Sequence, residues 1–490
     1  MIHATLVLRI PLFLVFVLFL QITRAQQPAA MQPPNIIFII GDDINWDDLG
    51  CYGNKHIKTP NLDQLAADGA RFDHFFVTAS SCSPSRTSIL TGRYPHNTGA
   101  AELHTPLPAE LSYFPEQLRK AGYYTALLGK WHEGPATRRA YDSVIAGVPR
   151  NGSGGEAQWL SMISTCKATG KPFFLWLATF DAHREWSSDT EFDVTHDPQK
   201  DIEVPPTLVD DSATRRDLAS YYNEIGRIDT HLGRLRKILE QEGLAQNTIL
   251  VFTADNGRPF PGSKTRLQDR GLKEPLLIYW PGRIRPGTVS SALISSIDIA
   301  PTLLDMAAIK PAPSVQGRSF LPLLSHPEGA FRNYIFGEHN WHDYEAYERS
   351  VRTNDFLYIY NARPQFDNGG PIDANQSPSA HSLKRQAGQR TVLQQDALQQ
   401  PRSREEFFVI AADPLQARNE IHNPQYREQI RALRNKLKQW QQETGDTQPL
   451  HLTPDWYHRT TGEPLSQKNI RGEMPGAAAN AVKNNNKGPF

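Results

Sequence analysis

Short, uninterrupted apolar runs punctuate the chain, and most of them end in charged or polar residues. The first, Asn35 to Ile40 (NIIFII), shows no alternation and stops at Gly41-Asp42-Asp43. That is the pattern of a strand covered on both faces in a parallel sheet. Comparable runs follow: TALLGKWH from Thr125, PFFLWLATFDAH from Pro172, TILVFTADNG from Thr248 and PLLIYWPG from Pro275. Helical periodicity fills the intervals. It is clearest from Ser212 to Glu242, where Leu218, Tyr222, Ile225, Ile228, Leu232, Leu235 and Ile238 recur at three- and four-residue spacing and Gly243 acts as a stop. A second helix is predicted from about Gln425 to Gln442, with Ile430, Leu433, Leu437 and Trp440 on one stripe. Together these patterns predict an α/β domain with a mostly parallel central sheet flanked by helices, then a smaller C-terminal α+β unit. Open sheets of this kind hold ligands outside the carboxyl ends of their strands, so the polar ends of four runs are expected to share one crevice.

Charge and composition narrow the function classes. Lys plus Arg and Asp plus Glu both total 52 in 490 residues, so no global field favours nucleic acid or another polyanion, and any anion must be held by a local cluster. The N-terminal stretch has Arg9, an apolar run from Ile10 to Ile22 and then Thr23-Arg24-Ala25. It reads as a secretory signal peptide over 1–25, cleaved near Ala25. Its apolar core is shorter than the ~20 residues that span a bilayer, so export without a stable membrane anchor is expected. Cys51, Cys82 and Cys166 can form one bridge at most, which leaves a cysteine as a candidate for chemistry.

The expected organisation is a linker over 26–34, a catalytic domain over 35–340, a C-terminal subdomain over 341–450 and a tail over 451–490. The Gln-, Pro- and Ser-rich stretch 362–404 reads as a surface insertion. The ending GAAANAVKNNNKGPF lacks apolar side chains and predicts disorder.

The segment Ser81 to Gly99 (SSCSPSRTSILTGRYPHNTG) places Cys82 two residues before Pro84, then Ser85 and Arg86, with Thr91-Gly92-Arg93 beyond. Other chemistry-bearing groups accompany it along the chain: Asp42-Asp43, Lys130-Trp131-His132, His183, Asp255-Asn256-Gly257 and Lys264. This set resembles the type I sulfatases, in which C-x-P-S-R followed by T-G marks a cysteine converted to formylglycine; the resemblance spans roughly Asn35 to Asp446. It implies an alkaline-phosphatase-like fold, a formylglycine at position 82 installed by a maturation enzyme, and a sulfated saccharide as substrate. Asp42, Asp43, Asp255 and Asn256 form an all-oxygen set that suits a hard cation, Ca²⁺ in the resembling family and Mg²⁺ less so. Either acidic pair alone would read as a turn cap after a strand; beside this cysteine they read as ligands. The resemblance further implies that Arg86 orients the formylglycine hydrate, Lys130 and Lys264 clamp sulfate oxygens, His132 bonds the second hydroxyl, and His183 serves as general acid.

Within that family the run Asp255 to Gly282, with Pro259-Phe260-Pro261 after Asp-Asn-Gly, is similar to the heparan N-sulfatase (sulfamidase) branch, as are FFLWLATFDAHR and LKQWQQETGD. Lys264 stands where that branch has Arg, and the disulfide cysteines of its animal members are absent. Glu338, His339 and His342, with Trp341 and Tyr344 interleaved, are the expected sugar-pocket residues, a solvated loop being the equal alternative. The competing functions are an O-sulfatase on another glycan, a phosphodiesterase or phosphonate monoester hydrolase on the same scaffold, and a non-catalytic sulfated-glycan-binding protein. Cys51 and Cys166 read as small buried hydrophobes.

Overall fold

The apolar runs do form the middle of a sheet. The computed structural model describes residues 1–2, 32–188, 192–367 and 370–490; the signal peptide and most of the linker expected at the N-terminus lie outside them. Met1–Pro33 and Pro34–Phe490 are separate units, and the architecture below is that of the second. Among the described residues no helix is long and apolar enough to cross a membrane.

The strands are β1 Asn35–Gly41, β2 Ala70–Phe72, β3 Phe75–Phe76, β4 Tyr124–Gly129, β5 Ser143–Ala146, β6 Phe173–Ala178, β7 Thr248–Ala254, β8 Leu276–Tyr279, β9 Thr288–Ser290 and β10 Ile294–Ser295, followed by β11 Ile335–His339, β12 Glu348–Arg352, β13 Phe356–Asn361 and β14 Glu405–Val409. Eight of them form the central sheet in the order β5-β4-β6-β1-β7-β8-β2-β9. Strand β1 lies parallel between β6 and β7, with Ile40 opposite Ala178 and Gly41 opposite Ala254. Strand β4 runs parallel to β6. Residues 42–43, 130, 181–183 and 255–256 therefore emerge from one edge, as expected of the polar run ends. The run PLLIYWPG differs: β8 is antiparallel to β7, so its carboxyl end points away from that edge.

Both faces of the sheet are covered, which explains the missing alternation. Ile36, Phe38 and Ile40 face one core and Ile37 and Ile39 the other. Each such side chain contributes roughly 1.5–3 kcal/mol on burial. The principal helices are α1 Pro60–Asp68, α2 Cys82–Thr91, α3 Phe114–Lys120, α4 Trp159–Thr169, α5 Ser212–Gln241, α6 Ile299–Met306, α7 Pro378–Arg385 and α8 Arg427–Thr444. Helices α2, α3 and α6 pack with the first face; α1, α4 and α5 pack with the second. Helix α5 starts where the Asp211 side chain accepts from the Thr214 amide at 2.9 Å, an N-cap that satisfies a free donor. Its predicted stripe is buried except Ile238, which is only partly covered.

The second sheet is antiparallel, β11-β12-β13-β14, and α8 lays Ile430, Leu433, Leu437 and Trp440 against Phe336, Val351, Tyr358 and Phe407. Because β11 belongs to it, this sheet begins at residue 335, a few residues before the expected boundary at 340. The insertion 362–404 is less peripheral than its composition predicts. It carries α7 and the single turns Ile372–Asn375 and Val392–Asp396, and it reaches inward through Asp396, paired to Arg266 and Arg270 at 2.6 Å, and Ser379, bonded to Asp217 at 2.6 Å.

The tail corrects the expectation of disorder. Backbone carbonyls supply much of the anchoring: the buried Arg93 donates to the carbonyls of Val482 and Asn484 at 2.9 Å, and also to the side-chain oxygen of Asn485 at 2.7 Å. Phe490 closes the chain against Phe331 and the guanidinium of Arg318. Composition measures side-chain burial and misses this kind of anchoring.

A buried ion pair joins the segment just after α8 to the small sheet. Arg349 on β12 donates to Asp446 from Nε at 2.7 Å and Nη2 at 2.8 Å. Burial pushes the Asp446 carboxyl up, but Arg349 outweighs it and holds the group at about 2. A folded value below the unfolded one means that the contribution to stability is present above the unfolded pKa of ~3.9 and is lost as pH falls through about 2. Asp446→Asn should lower stability at pH 7 by roughly 3–5 kcal/mol, because the buried Arg349 loses its two-bond carboxylate partner and keeps only Glu338, at 3.7 Å, as a carboxylate neighbour. The urea midpoint at pH 7 checks this, and the difference from the parent protein should shrink toward pH 2.

Candidate active site

Helix α2 starts at Cys82 and all ten of its residues are buried, which an amphipathic pattern would not produce. Its threonine hydroxyls are satisfied locally, Thr91 donating to the Thr87 carbonyl at 2.7 Å and Thr87 to the Pro84 carbonyl at 3.0 Å, whereas the Ser85 hydroxyl is buried with no partner among the described residues. Ser81 occupies the N-cap position without capping, because its hydroxyl is bonded to His342 Nδ1 at 2.7 Å. The first amides of the helix are thus not capped by Ser81 at an end that attracts anions. Gly92 ends the helix with φ +65°, and a Cβ there would meet Val315 at 2.9 Å.

The four strand ends deliver a buried charged cluster to Cys82. One ligand atom each from Asp42, Asp43, Cys82 and Asp255 lies within 4.8 Å of the others, and Cys82 Sγ is 3.7 Å from Asp43 Oδ1. Arg86 donates from Nε to Asp255 at 2.7 Å and from Nη2 to Asp42 at 3.4 Å. Lys130 pairs with Asp42, and Lys264 Nζ reaches Asp43 at 2.7 Å. Burial pushes the Asp42 carboxyl up, yet Lys130, with Arg86 adding, leaves it below the ordinary carboxylate value. Burial also raises the Cys82 thiol well above its usual range, so the unmodified thiol is a poor nucleophile.

The donor set fits a hard divalent cation. Asn256 donates its amide to Asp43 Oδ1 at 2.6 Å and to the Gly257 carbonyl at 3.0 Å. Its own Oδ1 is buried with no partner among the described residues, an acceptor that an ion among these oxygens would satisfy.

The basic residues surround the cluster. His132 Nε2 is bonded to His104 Nδ1 at 2.7 Å, and His132 Nδ1 has no partner among the described residues. Burial, with Lys130 and His104 adding, pushes the His132 imidazole well below its usual value, so it is neutral at pH 7. His183 bonds through Nδ1 to the Arg184 carbonyl and turns Nε2 toward Asp43 at 3.9 Å and Asp373 at 3.7 Å. Beside it opens a cleft of ≈ 440 Å³ whose lining includes Arg150, Phe180, His183, Arg184 and Trp186.

The expected sugar-pocket set divides. Glu338 is corrected: it is fully buried in β11, accepts from Asn340 at 3.2 Å, is bonded to His96 at 2.6 Å and lies 3.7 Å from Arg349, so its carboxylate is consumed by the interior. His342 is buried against Ser81, and with His339 it lines a narrow cavity that also includes Thr265, Tyr344, Arg363 and Arg459. Trp341 packs with Cys82 and Leu103 and lies 4.4 Å, ring to ring, from Trp456. His104 and Asp373 were missed by sequence reasoning. His104 follows the signature too loosely to be part of it, and Asp373 sits in a stretch whose composition points to the surface. None of the three cysteines lies in a disulfide.

The fold and this cluster define a hydrolase of the alkaline-phosphatase-like class. A sulfatase family model matches residues 34–309, and a model of the N-sulphoglucosamine sulphohydrolase C-terminal region matches 263–379. The chain is 32% identical to human N-sulphoglucosamine sulphohydrolase over 476 residues, covering 86% of this chain and 92% of that protein. It is 30% identical to an ulvan-active sulfatase of Formosa agariphila over 427 residues, covering 85% and 82%. Among solved structures, a protein in complex with its substrate D-glucosamine-2-N,6-O-disulfate superposes with a TM-score of 0.64 at 21% identity, over 84% of this chain and 98% of that one. A phosphonate monoester hydrolase from Silicibacter pomeroyi does so at 0.64 and 21%, over 84% and 95%. The chain belongs to the sulfatase family and is a sulfate ester or sulfamate hydrolase.

The cluster predicts a metal-linked stability. Chelator-treated protein titrated with Ca²⁺ or Mg²⁺ should gain about 2.7 kcal/mol at a hundredfold excess over Kd, read as a rise in melting temperature. Asp255→Ala should abolish the rise.

Proposed function

We propose that this chain is an exported, formylglycine-dependent sulfatase that removes the N-sulfate of glucosamine in heparan-type saccharides. The carrying observation is the convergence of Cys82, the oxygen donors Asp42, Asp43, Asp255 and Asn256, and the cations Arg86, Lys130 and Lys264 in one buried cluster. The amino sugar is supported by the match of the C-terminal region and by the identity to the human enzyme over most of both chains. Export is supported by the N-terminal sequence alone.

A sulfate monoester or sulfamate is an anion, so attack on sulfur requires charge neutralisation and an activated nucleophile. Oxidised to formylglycine and hydrated, position 82 would supply two hydroxyls, one to attack sulfur and one to expel sulfate afterwards. A Ca²⁺ held by Asp42, Asp43, Asp255 and Asn256 would polarise a sulfate oxygen and favour the deprotonated nucleophile. Lys130 and Lys264, now paired to Asp42 and Asp43, stand where they can turn to sulfate oxygens. Arg86 fixes α2, and with it position 82, to the carboxylates. Neutral His132, oriented by His104, has Nδ1 available to a neighbouring hydroxyl. His183, oriented by the Arg184 carbonyl, presents Nε2 at the mouth of the cleft and protonates the leaving atom. That cleft, with Arg150 and Trp186, takes the place of Glu338 as the sugar-binding surface.

The ulvan-active relatives, equally similar over most of the chain, favour a second reading, an O-sulfatase acting on another glycan. Protein matured in its host, assayed by sulfate release, separates the two. N-sulfoglucosamine should exceed aryl sulfate and aryl phosphate diester in kcat/KM; preference for an O-sulfated saccharide supports the second reading, and preference for the diester rejects both. The peptide carrying residue 82 should be about 18 Da lighter than its thiol form, and Cys82→Ala should lower turnover by at least about three orders of magnitude.

A further inference from the structure

Asp373 is a carboxylate where an anion pocket has no evident need of one. It lies in the single turn Ile372–Asn375, contributed by the insertion of the smaller domain. Its Oδ1 accepts from the Ala374 amide at 2.8 Å, whereas Oδ2 is buried without a hydrogen-bond partner among the described residues. That free oxygen stands 3.7 Å from His183 Nε2. One carboxylate oxygen from each of Asp43 and Asp373 and a ring nitrogen of His183 lie within 4.8 Å of one another. Asp373 thus faces the space between the proposed general acid and the buried cluster at Cys82, where the atom bridging sulfur to sugar must sit.

The two candidate substrate classes differ in that atom. The bridging oxygen of a sulfate ester carries only lone pairs, and a carboxylate oxygen beside it finds no donor and is repelled by the sulfate charge. The bridging nitrogen of a sulfamate carries an N–H, which donates to such an oxygen and satisfies it. The cations near this point have partners of their own: Lys264 is paired with Asp43 at 2.7 Å until it turns to sulfate, and Arg184 is held by Asp217 through two bonds of 2.7 and 2.8 Å.

We infer that Asp373 is the residue that reads the bridging atom, accepting the N–H of an N-sulfated amino sugar through Oδ2 and disfavouring O-sulfates. This deepens the sulfamidase reading and rests on it. In the step concerned, the S–N bond breaks, its electron pair stays on nitrogen, the proton of His183 Nε2 goes to that nitrogen, and the sulfuryl group passes to the already deprotonated hydroxyl oxygen at position 82. The carboxylate of Asp373 remains unprotonated throughout and stabilises the positive character that nitrogen acquires.

The test compares matured wild-type enzyme with Asp373→Asn on N-sulfoglucosamine and on an aryl sulfate. The variant should lower kcat/KM for the sulfamate at least tenfold more than for the ester. In the Cys82→Ala background, where turnover is absent, Asp373→Asn should weaken binding of N-sulfoglucosamine at least tenfold relative to glucosamine 6-sulfate in calorimetric titrations. Asp373→Glu, which keeps the carboxylate, should recover part of the selectivity, and an unchanged melting temperature excludes misfolding. Equal loss on both substrates, the behaviour of a simple counter-ion to His183, overturns the inference and leaves the sulfamidase reading standing. Absence of sulfamate turnover by the wild-type enzyme overturns the reading and the inference together.

Discussion

The structure depends on a charge balance sealed at the edge of the central sheet. Asp42, Asp43 and Asp255 are fully buried, and three carboxylates this close cannot all remain ionised without cations. Arg86, Lys130 and Lys264 provide them from α2, from the end of β4 and from the loop after β7. Each pair joins segments far apart in the chain, so the arrangement works as a set of struts. Breaking one pair would leave a buried charge uncompensated, which costs more than the pair itself contributes.

Helix α2 is the hub through which the rest of the chain acts on that balance. Its N-terminus meets the cluster through Cys82 and Arg86, and Ser81 is held by His342 of the smaller domain. Past its C-terminus, Arg93 gathers the carbonyls of the tail. The α8 helix closes on the same region: Thr444 is bonded to His96 at 3.0 Å, and its carbonyl accepts from Asn97 at 2.8 Å. The C-terminal third therefore holds the signature helix in place and, through Asp373 and His342, adds side chains to its surroundings.

Much of this was legible in the residues. A strand buried on both faces has no polar positions to spare, so NIIFII, FFLWLA and TILVFTA announce themselves, and so do the oxygens that follow two of them. The stripes of α5 and α8 were equally plain because their apolar residues recur at helical spacing, although the middle of α5 is covered all round. Glu338 was misjudged because polar and aromatic neighbours look alike whether they line a pocket or satisfy one another inside β11. The tail was misjudged because several of its anchors are backbone carbonyls, which every residue possesses and no composition reveals.

The residues by themselves determined the layered α/β core and the placement of polar groups at its strand ends, since those follow from short-range patterning and the geometry of a parallel sheet. Tertiary structure alone decided that β8 runs antiparallel, that His104 braces His132, and that Asp373 arrives beside His183 from a segment nearly two hundred residues away. Such contacts are set by how whole elements pack, and nothing in the local sequence around either partner encodes the distance between them.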